Sequence, residues 1–475
     1  MKTLFLQAPS FDGFDGGAGS RYQAKREIKS FWYPTWLAQP AALIPDSRVL
    51  DAPADEIGVE ETLAIAEKYD LVFIHTSTPS FPTDAKFAEL LKERKPGIII
   101  GLVGAKVAVD PTDSLTASAA IDLVCREEFD YTCKEVAEGR PFADITGISY
   151  KLADGSVKHN PPRAMIENMD DLPFVAPIYK RDLKIPNYFI GYLNYPYISI
   201  YTGRGCRSKC TFCLWPQTVG GHRYRVRSAD NVIAEAKWIK ENMPEIKELM
   251  FDDDTFTDSS NLERVHDIAR GLGKLGWTWS CNAKANVPYE SLKIMKENGL
   301  RLLLVGYESG DDQILHNIKK GLRTDIARKF TENCRKLGIQ IHGTFILGLP
   351  GETKETIAKT IEYAKEINPH TIQVSLAAPY PGTALYNQAI ENGWLEKNHA
   401  VNLVNEKGVQ LAAISYPHLS KEEIFHSMEQ FYRAFYFRPS KIWEIVREMM
   451  ASWDMTKRRL REGVEFFRFL RAHES

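Results

Sequence analysis

The chain has 475 residues, enough for two or three domains with a sizeable core. Its formal net charge is only −2, with 26% charged residues, so no strong overall field marks it for nucleic acid or for an acidic partner. Seven cysteines in so long a chain argue against a disulfide framework and fit a reducing, cytoplasmic compartment. The opening MKTLFLQAP reads as a buried first strand rather than a signal peptide. No stretch approaches the ~20 apolar residues of a membrane span, so a soluble or peripheral protein is expected.

Residues 1–150 alternate short apolar runs (TLFLQAP, SRVLDAP, DLVFIHTS, PGIIIGLVG, IDLVC) with helix-like stretches such as 58–68 and 84–94. That alternation predicts a Rossmann-like, parallel, doubly wound α/β domain. Ligands of such sheets bind beyond the carboxyl ends of the strands. Those ends carry Pro9 and Ser10, then His75, Thr76, Ser77 and Thr78, then Gly101 and Gly104, then Arg126, Glu127 and Glu128. Small residues and hydroxyls there suit close approach of a large planar or phosphate-bearing ligand. Between the first two runs, Gly13, Gly16, Gly17 and Gly19 precede Arg21, Lys25, Arg26 and the cluster Phe31, Trp32, Tyr33. This stretch is either a cover for a cofactor or substrate, or a surface loop leading to a docked aromatic segment.

Residues 151–196 contain a hairpin followed by a proline-rich linker, and the tyrosine-rich part, 179–197, reads as substrate-proximal cover. From 197 to 385, six strand-like runs alternate with amphipathic helices, predicting a partial (β/α)6 TIM-type barrel with its chemistry at the carboxyl strand ends. The first of these runs, YISIYTG, leads into GRGCRSKCTFC, where Cys206, Cys210 and Cys213 are spaced CxxxCxxC. Thiolates are the preferred ligands of iron–sulfur clusters. A four-iron cubane takes four cysteines, so three from one loop leave one iron open to a small molecule. The competing readings are a zinc knuckle completed by His222, or buried cysteines without metal. Cys125, Cys133, Cys281 and Cys334 read as structural. Later strands end in Asp252, Asp253 and Asp254, in Asn282 and Lys284, in Glu308 and Ser309, and in the GLPG run from Gly348 to Gly351. Residues 386–475 form a helical region. Its end, TKRRLREGVEFFRFLRAHES, interleaves basic residues with Phe466, Phe467, Phe469 and Leu470, a pattern that suits either an anionic membrane surface or docking on the barrel.

The cysteine spacing, with aromatic Phe212 before the last cysteine, resembles the signature of radical S-adenosylmethionine (SAM) enzymes. The resemblance implies a [4Fe-4S] cluster whose open iron is chelated by SAM, reductive cleavage to a 5′-deoxyadenosyl radical, and an electron donor such as flavodoxin or ferredoxin. It also implies roles for the strand ends: Asp253 or Asp254 for the SAM ammonium and Lys284 for its carboxylate. Glu308 with Ser309 would meet the ribose, and backbone around Gly348 the adenine. A Rossmann-like domain placed before such a barrel resembles cobalamin-dependent radical SAM enzymes over almost the whole chain. Thr76, Ser77, Thr78, Gly104 and Glu127 would then face cobalamin. No DxHxxG is present, so no histidine ligand is expected beneath the cobalt.

Within that family, the first forty residues and the stretch GRGCRSKCTFCLWPQTVGGHRYRVRS resemble its hopanoid-biosynthesis members. These make bacteriohopanetetrol cyclitol ether, which implies a glycosylated hopanoid lipid as substrate and ring contraction of its glucosaminyl group. The motifs equally suit a cobalamin-dependent methyltransferase. A non-catalytic cobalamin- or tetrapyrrole-binding protein with a structural cluster is the alternative from another class.

Overall fold

The computed structural model describes residues 1–9, 11, 31–395, 403, 410–451, 456, 459–461 and 463–464. Ser10, the glycines and basic residues of 12–30, and Phe466, Phe467, Phe469 and Leu470 lie outside the described residues.

The five apolar runs of the first domain become parallel strands β1 (Thr3–Gln7), β2 (Ser47–Asp51), β3 (Leu71–His75), β4 (Ile99–Val103) and β5 (Leu123–Cys125). The hairpin β6 (Ile148–Lys151) and β7 (Val157–His159) then adds two antiparallel strands to the same sheet. The spatial order is β2-β1-β3-β4-β5-β6-β7. Because β1 and β3 are buried along their whole length, their sequences are continuous apolar runs, as expected of strands covered on both faces. The strand order reverses between β1 and β3, which places the ligand crevice of a doubly wound sheet at their carboxyl ends.

The second sheet holds β8 (Tyr197–Ile200), β11 (Glu248–Phe251), β12 (Trp279–Ala283), β13 (Leu300–Glu308), β14 (Gln340–Leu347) and β15 (Thr371–Leu376). All are parallel and adjacent in sequence order, giving the six-stranded partial barrel. A short ribbon, β9 (Gly203–Arg204) with β10 (Arg225–Val226), brackets the cysteine loop. Connecting helices such as Thr324–Leu337 and Lys354–Ile367 stop at residues in the left-handed conformation, Gly338 and Asn368, a common device for ending a helix.

A partial barrel has two unpaired strand edges, each a row of backbone donors and acceptors that must be covered. At β15 the cover comes from the C-terminal region. The Tyr436 hydroxyl accepts from Ile372 N (3.0 Å) and the Tyr432 hydroxyl from Val374 N (2.9 Å). Leu376 N donates to Gln410 Oε1 (3.4 Å), whose Nε2 donates back to Leu376 O (3.0 Å). Every second residue of the strand therefore meets a side chain instead of a seventh strand. At β8 the aromatic cluster docks: the Tyr33 hydroxyl donates to Tyr197 O (2.8 Å), and the Tyr197 hydroxyl to Phe31 O (3.0 Å). Phe31, Trp32 and Tyr33 are all buried.

Replacing Tyr432 with Phe leaves a buried backbone N–H without its acceptor. We expect a loss of about 1–3 kcal/mol, read as a lower urea midpoint, with secondary structure unchanged by circular dichroism.

Candidate active site

The two sheets meet carboxyl edge to carboxyl edge. Glu128 and Asp130 follow β5, and both receive the buried guanidinium of Arg204 from β9, at 2.9 and 2.6 Å. Arg225 of β10 binds Glu128 from the other side, at 2.6 Å. Burial alone would raise the Glu128 carboxyl, but Arg204 and Arg225 outweigh it and hold it below its ordinary value. The Arg204 guanidinium also lies 4.7 Å from the Trp36 ring, which stacks on Trp215 at 4.9 Å. Trp36 belongs to the first domain and Trp215 follows the cysteine loop, so the aromatic pair extends the same joint.

The cysteine loop is held through its backbone. Gly205 (φ +85°) has no room for a Cβ, which would sit 2.4 Å from Arg223 O. Cys206 N donates to Gly221 O and Thr211 N to Ile318 O. Gln217 Nε2 donates to the carbonyls of Cys210, Thr211 and Cys213, while its Oε1 accepts from Ala384 N. With its carbonyls and amides engaged in this way, the loop turns the three thiols to one wall of a cavity of about 240 Å³. His222 is exposed, with Nδ1 at the backbone carbonyls of Cys206 and Ser208. The donor set is three thiols of one loop without a fourth. That suits a cubane with an open iron better than zinc, which seeks a closed set of four.

The rest of the cavity follows the barrel axis downward. Inward residues alternate along each strand, so Leu304, Gly306 and Glu308 line it from β13. His342, Thr344 and Ile346 do so from β14, and Gln373 and Ser375 from β15. Phe212, Asp252, Asp254, Asn282 and Lys284 also line it. At its floor Tyr192 stacks on His342 with ring centres 3.9 Å apart. Tyr192 is fixed there because Arg301, clamped on Glu248 at 2.9–3.1 Å, donates to Tyr192 O at 2.7 Å.

Three of the residues expected at the SAM site do not reach the cavity wall. Asp253 is fully buried on the other face of its segment. It accepts from Thr202 N, Thr202 Oγ1 and the Tyr224 hydroxyl, each at 2.6 Å, and burial pushes its carboxyl up. It ties the end of β8 to the end of β11, and strand phase leaves the acidic wall to Asp252 and Asp254. Ser309 is buried behind the wall against Thr360, with Oγ–Oγ 3.1 Å. Gly348 (φ +83°) abuts Ile424 of the C-terminal helix, and its carbonyl accepts from the Tyr416 hydroxyl. Glu308 does line the cavity, and it is bound by Lys320 at 2.6 Å. Sequence reading missed this lysine. Its signal was the KKG that follows the short helix Asp312–Asn317, a cation placed where Glu308 needs one once buried.

At the first domain's edge, Thr76 is fully buried, its hydroxyl turned toward the buried Asp84 carboxyl. Ser77 and Thr78 follow it, half-buried. Gly104 has φ +122°, and a Cβ there would fall 2.2 Å from Thr76 O; Gly101, by contrast, serves packing against Phe73 and Leu123 inside the sheet. Glu127 adopts φ +55°, a turn conformation that brings backbone close to the edge. His75 is buried, with Nδ1 3.3 Å from Gln7 Oε1 and its ring beside Gly104, and burial lowers its pKa to about 4. It is a neutral structural histidine. The space that Gly104 keeps clear against Thr76 at this strand edge fits the close approach of a flat cofactor.

Comparison with known proteins agrees. The radical SAM superfamily pattern matches residues 200–364 and the B12 binding domain pattern residues 24–137. An uncharacterized methyltransferase of Pyrococcus horikoshii is 30% identical over 87% of this chain and 90% of its own length. This chain belongs to the radical SAM enzymes that carry a B12-binding domain. Its cofactors are a [4Fe-4S] cluster, SAM and cobalamin. The cytidylyl-2-hydroxyethylphosphonate methyltransferase of Streptomyces wedmorensis is 27% identical over 63% of this chain and 62% of its own. Among solved structures, the radical SAM methyltransferase TsrM from Kitasatospora setae, with cobalamin and [4Fe-4S] cluster bound, gives a TM-score of 0.68 at 14% identity, covering 92% of this chain and 89% of TsrM. The cobalamin-dependent radical enzyme OxsB gives 0.69 at 15%, covering 97% and 72%. Identities this low establish the fold.

Arg204→Met leaves the buried Asp130 carboxylate without its guanidinium and Glu128 with Arg225 alone. We expect a loss of about 3–5 kcal/mol, measured by urea unfolding of anaerobically purified protein. Because the native Glu128 pKa is depressed, its contribution is complete above the unfolded value of about 4.5 and disappears as pH falls through the native one. The parent's acid-side loss of stability should therefore shrink in the variant.

Proposed function

We propose that this enzyme forms a carbon-centred radical on a substrate held in the axial cavity, and that the radical's fate is methyl transfer. The observation that carries the proposal is the joint itself: Glu128 and Asp130, beyond β5 of the cobalamin-type sheet, are bound by Arg204, two residues before Cys206, and the cavity runs on from that cysteine loop. When bound, the cluster supplies the electron that divides SAM into methionine and a 5′-deoxyadenosyl radical, and cobalamin supplies a methyl carrier.

In this reading Cys206, Cys210 and Cys213 hold three irons and leave the fourth to SAM. Asp252 or Asp254 takes the SAM ammonium, Lys284 its carboxylate, and Glu308, oriented by Lys320, the ribose hydroxyls. Phe212 packs beside the cluster. Ser309 and Gly348 act from behind the wall, by fixing the backbone around Glu308 and the end of β14. Asp253 positions the acidic segment. Thr76, Ser77, Thr78, Gly104 and Glu127 form the cobalamin edge. Methyl transfer is supported by the methyltransferases among the relatives. It consumes two SAM molecules per turnover, one yielding 5′-deoxyadenosine and methionine, the other S-adenosylhomocysteine. Reduction would come from a flavodoxin- or ferredoxin-type donor.

A second reading is favoured by the resemblance of the first forty residues and the cysteine loop to hopanoid-biosynthesis members of the family. Here the radical formed on glucosaminyl bacteriohopanetetrol rearranges within the sugar, contracting it to the cyclitol ether.

Anaerobic turnover with SAM, reductant, cobalamin and glucosaminyl bacteriohopanetetrol separates these readings. A methylated product with S-adenosylhomocysteine supports the first; a cyclitol product without it supports the second. Absence of 5′-deoxyadenosine, with this or any other substrate tried, would sink both. Glu308→Gln should weaken SAM binding by about tenfold, the worth of one charge-assisted hydrogen bond, while iron content stays unchanged.

A further inference from the structure

Helix Pro439–Ala451 carries an apolar face without cover among the described residues. Ile442, Trp443, Val446 and Met450 recur at the spacing that puts them on one side of a helix, and all are exposed, Trp443 by 63% and Met450 by 69%. The opposite side is anchored. Lys441 is buried and donates to Pro369 O at 2.9 Å, and Arg438 donates to Lys365 O and to Asn368 Oδ1. A returning segment is tied to this helix by Thr456 Oγ1, which donates to Met449 O, and by the Arg459–Glu448 pair. It adds the exposed Leu460 and Val464. A folded, anchored pair of segments thus presents six apolar side chains outward, where an ordinary soluble surface scatters them singly.

Arg447 of this helix and Arg461 of the returning segment are exposed, while the helix's acids Glu444 and Glu448 are paired with Lys441 and Arg459. In the sequence, residues 456–475 hold six Lys or Arg against three Asp or Glu. The chain as a whole has net charge −2, so this positive character is local. Apolar side chains including Trp, rimmed by arginine, are what the boundary of an anionic bilayer recruits, tryptophan sitting at headgroup level. No described helix is long and apolar enough to cross a membrane, so the contact lies along the surface. Its anchor residues, Asn368 and Pro369, immediately precede β15. The face is therefore at the end of the barrel away from the cysteines, and the cavity floor of Tyr192 and His342 lies toward that same end.

We propose that this C-terminal helical face docks the enzyme on an anionic lipid surface. The inference is independent of the reaction chosen above.

The test is sedimentation of the anaerobically purified, cofactor-loaded full chain with vesicles of phosphatidylcholine alone and of phosphatidylcholine with phosphatidylglycerol. Co-sedimentation with the anionic vesicles is expected, weakening as salt is raised. It should fall about tenfold in Trp443→Asp/Met450→Asp, since each substitution puts a charge where apolar area was buried. Both side chains are exposed, so iron content, circular dichroism and SAM cleavage should match the parent. Failure to bind anionic vesicles would overturn the proposal, as would binding that the double variant leaves unchanged. So would a parent that sediments as a dimer, becomes monomeric in the variant and ignores lipid, because the face would then belong to a second copy.

Discussion

The buried contact of Arg204 and Arg225 with Glu128 and Asp130 decides how the two halves of this enzyme address one another. Four charged groups leave water together, and the cost is offset only where each finds a partner in good geometry. That condition is met in one relative orientation of the sheets, because two of the groups end a strand of the first and two flank the cysteine loop of the second. The network is thus less a source of stability than a specification of alignment. Trp36 against Trp215 extends the same alignment with apolar area. The consequence is that the end of β5 is fixed against the residues that flank the cysteine loop.

Inside the barrel, each functional group is held by another that does no chemistry. Gln217 occupies three carbonyls of the cysteine loop, Lys320 neutralises Glu308, and Arg301 fixes Tyr192 through Glu248. Asp253 belongs with these. Buried acceptors of that kind are costly to leave unmade, so the Thr202 and Tyr224 contacts hold the acidic segment in one phase. Its neighbours Asp252 and Asp254 are presented as a result.

Much of this was legible in the sequence. Apolar runs and 3.6-residue periodicity marked the parallel strands of both sheets, the helices of the barrel and two of those in the first domain, and CxxxCxxC marked the thiol loop. What the sequence could not convey was phase and partnership. Three consecutive aspartates offer no clue to which one points inward, since that depends on where β11 releases its pairing. Ser309 and Gly348 stand at the right strand ends but turn toward Thr360 and Ile424, contacts that arise only when distant helices pack. Lys320 and His342 were overlooked because each gains meaning from a residue far along the chain, whereas Tyr192 was legible only as one member of a tyrosine-rich cover. The arginine network was likewise invisible: Glu128 was noted as a strand-end acid, and nothing near it in sequence announces Arg204 or Arg225.

The side-chain cover of β15 bears on how the chain reaches its native state. A strand edge satisfied by Tyr432, Tyr436 and Gln410 stays open until residues 34 to 64 positions later have folded back. During synthesis the barrel would therefore emerge with one adhesive border, and the helix Lys421–Tyr436 acts as the piece that blunts it. The C-terminal region is in this sense an internal chaperone for the sheet it completes.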